Sequence, residues 1–157
     1  MVSLDQIVAL IAKHEEFKPT AYHDSQGALR IGYGTNLDGI GATFQCTAAN
    51  LSYLGMRDGG PISQRQALVL MQKAALHARD CCNARIKDFD EMPASVQLAA
   101  IDMMYDLGFP AFSERRKMIH ALEACDWAAA ASEMHSLPGQ RGLDNIALVE
   151  SAIPVTA

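Results

Sequence analysis

The chain has 157 residues, 50% of them hydrophobic, with a formal net charge of −5 at pH 7 and an isoelectric point near 5.4. A chain of this size hides roughly 70% of its unfolded surface, so a single domain over residues 1–157 is expected. The acidic balance lacks the lysine- and arginine-rich face that broad nucleic-acid binding needs and gives no attraction to an anionic membrane, and no apolar run approaches the ~20 residues of a membrane span.

Ser3-Leu4-Asp5-Gln6 has the form of a capping box, and Leu4, Ile7, Val8 and Ile11 recur at helical spacing. This predicts an amphipathic helix running to about Glu16 and stopped by Pro19. Residues 22–33 carry a Ser25-Gln26-Gly27 turn followed by Ala28-Leu29-Arg30-Ile31, the pattern of a small hairpin or meander. Gly32 and Gly34 then permit positive φ or close backbone approach. Residues 38–61 are loop-like, with a short apolar piece at 51–54, and a loop of that length is expected to cover something or to carry a short helix.

Ser63-Gln64-Arg65-Gln66 repeats the capping-box form and opens a predicted helix to about Ile86, with Ala67, Leu70, Met71, Ala74 and Ala78 on one stripe. Further helices are predicted near 94–107, 113–124, 126–135 and 143–153. They are separated by Gly108-Phe109-Pro110, Cys125-Asp126 and Leu137-Pro138-Gly139-Gln140. Met71, Met103 and Met104 read as core. The plan is α+β and mostly helical. A small N-terminal β lobe within 1–61 meets a helical lobe over 62–157, and the cleft is expected where they meet.

Cys46, Cys81, Cys82 and Cys125 have no paired spacing and read as buried small hydrophobes; a bridge from Cys46 to Cys81 or Cys82 stays open for a protein that works outside the cell. Arg115-Arg116-Lys117 spans one helical turn and reads as a solvated face. His14 and His23 lack a third ligand at metal spacing, so neither a metal nor a cofactor is expected. The N-terminus has no basic n-region or small-residue cleavage site, which predicts synthesis in the cytoplasm without a signal peptide.

The chemistry concentrates in His14-Glu15-Glu16-Phe17 and the residues that follow. Glu15 falls at the C-terminal end of the first helix, where unsatisfied carbonyls disfavour another anion and raise its pKa, more so with burial. Asp24 lies nine positions later, just before a turn, where a carboxylate stays ionised and can also cap the backbone. Two carboxyls in unlike environments form the pair that glycoside hydrolysis requires. By spacing alone, a purely capping role for Asp24 fits equally well.

The run "HEEFKPTAYHDSQGALRIGYG" resembles the phage-type lysozymes. Tyr22, Gly27, Ile31, Gly32 and Gly34 match that family's pattern, and its catalytic glutamate and aspartate fall on Glu15 and Asp24. "AAIDMMYDLGFPAF" and "ALEACDWAAAASEM" are similar to its core helix and to the helix pair after it. The resemblance implies a lysozyme-like fold acting on bacterial peptidoglycan. Glu15 would protonate the oxygen between N-acetylmuramic acid and N-acetylglucosamine, while Asp24 activates a water or stabilises an oxocarbenium-like transition state. It also implies substrate contacts at Tyr22, Gly32, Tyr105 and Asp106, with core packing for Tyr105 and a surface role for Asp106 as the alternatives, and an arginine that supports the glutamate. Arg141 is the candidate for that arginine, although direct alignment brings Asn145 or Ile146 to its position.

Three features depart from the pattern. Arg30 occupies the place of the threonine whose hydroxyl holds the nucleophilic water in the family, and Glu16 replaces a glycine. The supporting arginine is the third, since alignment does not lay it on Arg141. Arg30 should face the cleft, because Leu29 and Ile31 alternate to the other side, and a guanidinium there would tend to pair bidentately with a carboxylate. The leading expectation is a muramidase, either an endolysin or an effector, that is monomeric and meets the cell wall through a holin-like pore or a secretion apparatus, with an immunity protein as a further partner. The rivals are a lysozyme-fold pseudoenzyme that binds glycan or protein without cutting, and an enzyme that resolves the transition state with the sugar's own hydroxyl.

Overall fold

The computed structural model describes residues 2–25, 27–37, 61–135 and 139–155. Helix α1 (Leu4–His14) opens on a complete capping box, with the Ser3 hydroxyl accepting from Gln6 N–H and the Gln6 side chain accepting from Ser3 N–H. It buries Ile7 and Ile11. The helix stops at His14, earlier than the sequence pattern suggests, because Glu15 turns to extended backbone (φ −108°, ψ 136°). Pro19 is therefore not the stop. It lies in β1 (Lys18–His23), an edge strand, where the pairing register shifts between Lys18 and Tyr22 and a residue without an N–H is tolerated.

β1, β2 (Leu29–Gly32) and β3 (Thr35–Asn36) form an antiparallel meander in the order β1-β2-β3. Tyr22 pairs with Arg30 across β1 and β2, and Arg30 with Asn36 across β2 and β3. Gly27 N–H donates to Asp24 O at 3.0 Å and closes the first turn. Gly34 (φ 76°) makes the second, where an L side chain would be strained.

Helix α2 (Gln64–Arg85), which also opens on a full capping box, joins two cores. Ala67 and Leu70 pack with Ile31 and Ile62 beneath the sheet, while Met71, Ala74, Ala75, Ala78 and Cys82 enter the helical core. Every residue of the predicted stripe is buried. A short 3-10 turn (Phe89–Glu91) leads to α3 (Ala94–Ser113), which breaks at Gly108 (φ 74°, ψ 162°) just before Pro110, where the sequence places a separator. α4 (Arg116–Glu123), α5 (Trp127–Met134) and α6 (Gly139–Glu150) complete the described helices. The fold is mostly helical with a small three-stranded sheet, as the sequence indicates.

The last helix begins four residues before the predicted start, at the Gly139 that had been read as part of a separator. That brings Arg141 into its first turn. No described helix is long and apolar enough to cross a membrane. Cys81, Cys82 and Cys125 carry free thiols. Cys82 is buried as expected, but Cys125 is exposed, because it sits at a positive-φ turn (55°) between α4 and α5. Arg116 and Lys117 are exposed, in keeping with a solvated face. Cys46 and the 51–54 segment lie outside the described residues.

Candidate active site

Glu15 is the residue after α1, and its extended backbone aims the side chain away from the helix axis into the junction of sheet and helices. A cleft of about 330 Å³ opens there, lined by Glu15, Tyr22, Asp24, Ser25, Arg30, Asp106, Leu107, Ala111 and Arg141. The Glu15 side chain is 17% exposed, and its Oε1 accepts from Arg141 Nη1 at 2.8 Å. Burial raises the Glu15 pKa above the ordinary 4.5, against the opposing pull of Arg141. Asp106, which accepts from the same Arg141 Nη1 at 3.0 Å, adds to the rise. The sequence reading puts helix-end carbonyls first, whereas in the folded protein burial is the dominant cause.

Gly34 makes the position of Glu15 sterically feasible. A Cβ on that residue would lie 2.7 Å from Glu15 Oε2, closer than real carbon atoms approach oxygen. The glycine thus serves both the turn and the carboxyl beside it.

Asp24 occupies the β1–β2 turn and performs the capping role, with Oδ1 accepting from Ala28 N–H at 3.0 Å. Its other oxygen, Oδ2, accepts from Arg30 Nε at 2.5 Å. Arg30 faces the cleft, as strand alternation predicts, with Ile31 buried on the opposite side. Its Nη1 donates to Gly34 O at 2.9 Å. The guanidinium therefore spans from the aspartate to the backbone that packs against Glu15, rather than spending both arms of its fork on one carboxylate. Tyr22 lines the same cleft, its hydroxyl pKa raised by burial and by Glu15, and Lys18 Nζ stands 4.2 Å from its ring centre.

Two residues that the resemblance assigns to substrate contact lie elsewhere. Gly32 packs against Ala67, where an added Cβ would meet Ala67 Cβ at 3.0 Å. Tyr105 is 4% exposed and donates its hydroxyl to Tyr33 O at 2.5 Å, tying α3 to the β2–β3 turn. Both positions are buried because the sheet must sit against α2 and α3, so these residues shape the cleft from behind. Tyr22 and Asp106 do line it.

Arg141, rather than Asn145 or Ile146, reaches the glutamate. Its Nε and Nη2 form a fork on Asp102, at 3.0 Å to Oδ2 and 3.1 Å to Oδ1, while Nη1 serves Glu15 and Asp106. Asn145 is fully buried and donates to Asp102 Oδ2 at 2.9 Å, and Ile146 is core. Sequence reasoning missed Asp102. The available signal was an aspartate inside the apolar run Ala99–Tyr105, where a charge survives burial only with partners. His14, singled out as a metal candidate, has both ring nitrogens directed at carboxylates, whereas His23 is exposed at the end of β1.

Residues 12–147 match the sequence model of the family described as phage lysozyme. No curated protein sequence matches the chain. Among solved structures, it is similar to the muramidase domain of SpmX from Asticaccaulis excentricus, with a TM-score of 0.67 at 17% identity and 99% of each chain covered. It is also similar to the endolysin of Escherichia coli O157:H7 phage FAHEc1, with a TM-score of 0.66 at 18% identity, covering 98% of this chain and 93% of that one.

Proposed function

Because this chain belongs to the phage lysozyme family, we propose that it cleaves the β-1,4 bond between N-acetylmuramic acid and N-acetylglucosamine in bacterial peptidoglycan. The observation that carries the reading is the pair of unlike carboxyls in one cleft. Glu15 is buried with its proton favoured, and Asp24 is held as a hydrogen-bond acceptor on a turn. Glu15 donates its proton to the bridging oxygen as the glycosidic bond lengthens. Asp24, across the cleft, stabilises the positive charge developing at the anomeric carbon or orients a water toward it. Arg141 aims the Glu15 carboxyl and does not protonate the substrate itself, since a guanidinium keeps its protons throughout. Tyr22 and Asp106 lie where hydroxyl and acetamido groups of the glycan would pass.

A second reading rests on the contact between Arg30 Nε and Asp24 Oδ2. An arginine cannot accept a hydrogen bond from a nucleophilic water, and it already engages the aspartate. On this reading the cleft binds a glycan or a protein partner and leaves the bond intact. Mass spectrometry of purified peptidoglycan incubated with the protein separates the two, run beside Glu15→Gln and Arg30→Thr. Reducing muropeptides from the parent, suppressed about 10³-fold in Glu15→Gln, are the expected result. An inert parent with cleavage gained in Arg30→Thr would instead support the binding protein. Anhydro ends in place of reducing ends would move the reaction to intramolecular transfer.

A further inference from the structure

We propose that His14 is the positioning residue that sets the Glu15 carboxyl, acting through Asp102 and Arg141; the role rests on the reading of Glu15 as the acid. His14 and Glu15 are neighbours at the end of α1, yet their side chains diverge. Glu15 enters the cleft, while the His14 ring, only 3% exposed, enters the seam between α3 and α6. There Nδ1 lies 3.1 Å from Asp102 Oδ2 and Nε2 lies 2.9 Å from Asp144 Oδ2.

Asp102 is 1% exposed and holds Arg141 by its fork, and Arg141 Nη1 holds Glu15. The two neighbours are thus connected a second time, through His14, Asp102 and Arg141 back to Glu15. Arg141, Asp144 and Asn145 stand at i, i+3 and i+4 on α6 and share one face. Imidazole grips that face directly at Asp144 and indirectly, through Asp102, at Arg141 and Asn145. An apolar side chain of equal volume would fill the seam but hold neither carboxylate. Asp102 would then keep Arg141 without being held itself.

Asp102 comes from α3 and Asp144 from α6, with Lys13 of α1 also on Asp144 at 2.5 Å. Glu15 is faced by Arg141, Asp106 and Arg30, and by the phenols of Tyr22 on β1 and Tyr105 on α3. Arg141 favours the ionised form of Glu15, so loosening Arg141 must make Glu15 titrate at higher pH.

The test is NMR of the full chain, following the Glu15 side-chain carboxyl carbon through a pH titration and the solvent exchange of the Arg141 Nε proton. His14→Gln carries both of its N–H donors on one nitrogen, in place of the two separate ring nitrogens that face Asp102 and Asp144. The expected result is a Glu15 midpoint raised by about 1 pH unit, together with faster exchange of the Arg141 proton. A folded His14→Gln in which the midpoint is unmoved, or in which the Arg141 proton still exchanges slowly, overturns the proposal. If His14→Gln does not fold, Asp144→Asn takes its place. Removing that carboxylate lowers the Glu15 midpoint by charge alone, so a rise supports the role and a fall or no change overturns it. These readings need no turnover. Absence of cleavage by the parent would count against the proposed function, while the titration still decides the role of His14.

Discussion

Two of the arginine–carboxylate pairs in the cleft, Arg30–Asp24 and Arg141–Glu15, are built on opposite plans. Arg30 and Asp24 come from one hairpin, with side chains 22% and 18% exposed, and meet because paired strands bring them together. Glu15 follows the first described helix and Arg141 lies in the last, and their meeting depends on a buried aspartate that both neutralises and orients the guanidinium. The first pair is a local property of the sheet. The second exists only when the helical lobe is assembled, and it hangs on Asp102, a carboxylate 1% exposed whose missing partner water could not replace. The difference teaches that matching ion pairs in one cleft can be tied to different parts of the fold: Arg141 joins α6 to Asp102 of α3 and to Glu15, and Arg30 joins Asp24 to the backbone at Gly34.

The largest test of this contrast is Arg141→Ala, which takes the guanidinium fork from Asp102, 1% exposed, and leaves that carboxylate only its contacts with Asn145 and His14. It is expected to cost about 3–5 kcal/mol in urea-monitored unfolding. Gly34→Ala follows, at about 1–3 kcal/mol, because the new methyl meets both a φ of 76° and the Glu15 carboxyl at 2.7 Å. Its cleavage of peptidoglycan should fall further than its stability explains. Arg30→Ala, at a partly solvated pair, should cost about 1 kcal/mol. A loss equal to that of Arg141→Ala would erase the distinction between the two pairs.

The smallest effect lies in pH. The folded-state pKa of Glu15 is raised above 4.5, so the folded protein binds this proton more tightly than the unfolded chain does. That stabilisation is complete below 4.5 and is lost as pH rises through the folded value. Thermal melts should therefore show Glu15→Gln gaining on the parent across this window. Asp144 has the opposite sign: hydrogen bonds from Lys13 and His14 hold it below the ordinary 3.8. Its contribution is present above 3.8 and is lost as pH falls, so Asp144→Asn should trail the parent at neutral pH and converge with it in acid.

Much of this was legible in one dimension. Both capping boxes, the α2 stripe, the meander and the break at Gly108 follow from hydrogen-bonding side chains and periodicities acting over a few residues. The end of α1 and the start of α6 were less legible, because Pro19 and Gly139 are ambiguous punctuation. Proline is accepted in an edge strand, and a glycine at φ 76° can begin a helix as well as separate two.

By itself the sequence determined the order of the elements and the local group of Glu15, Asp24 and Arg30, since residues at a helix end and on one hairpin are brought near each other by backbone geometry alone. Tertiary structure decided which arginine reaches Glu15, that Gly32 and Tyr105 lie behind the cleft, and that burial is what raises the Glu15 pKa. Those outcomes depend on Asp102 and His14 meeting across 88 positions and on Arg141 meeting Glu15 across 126. No local propensity encodes such contacts, because their energy arises only when the packed helices have excluded water from the charges between them.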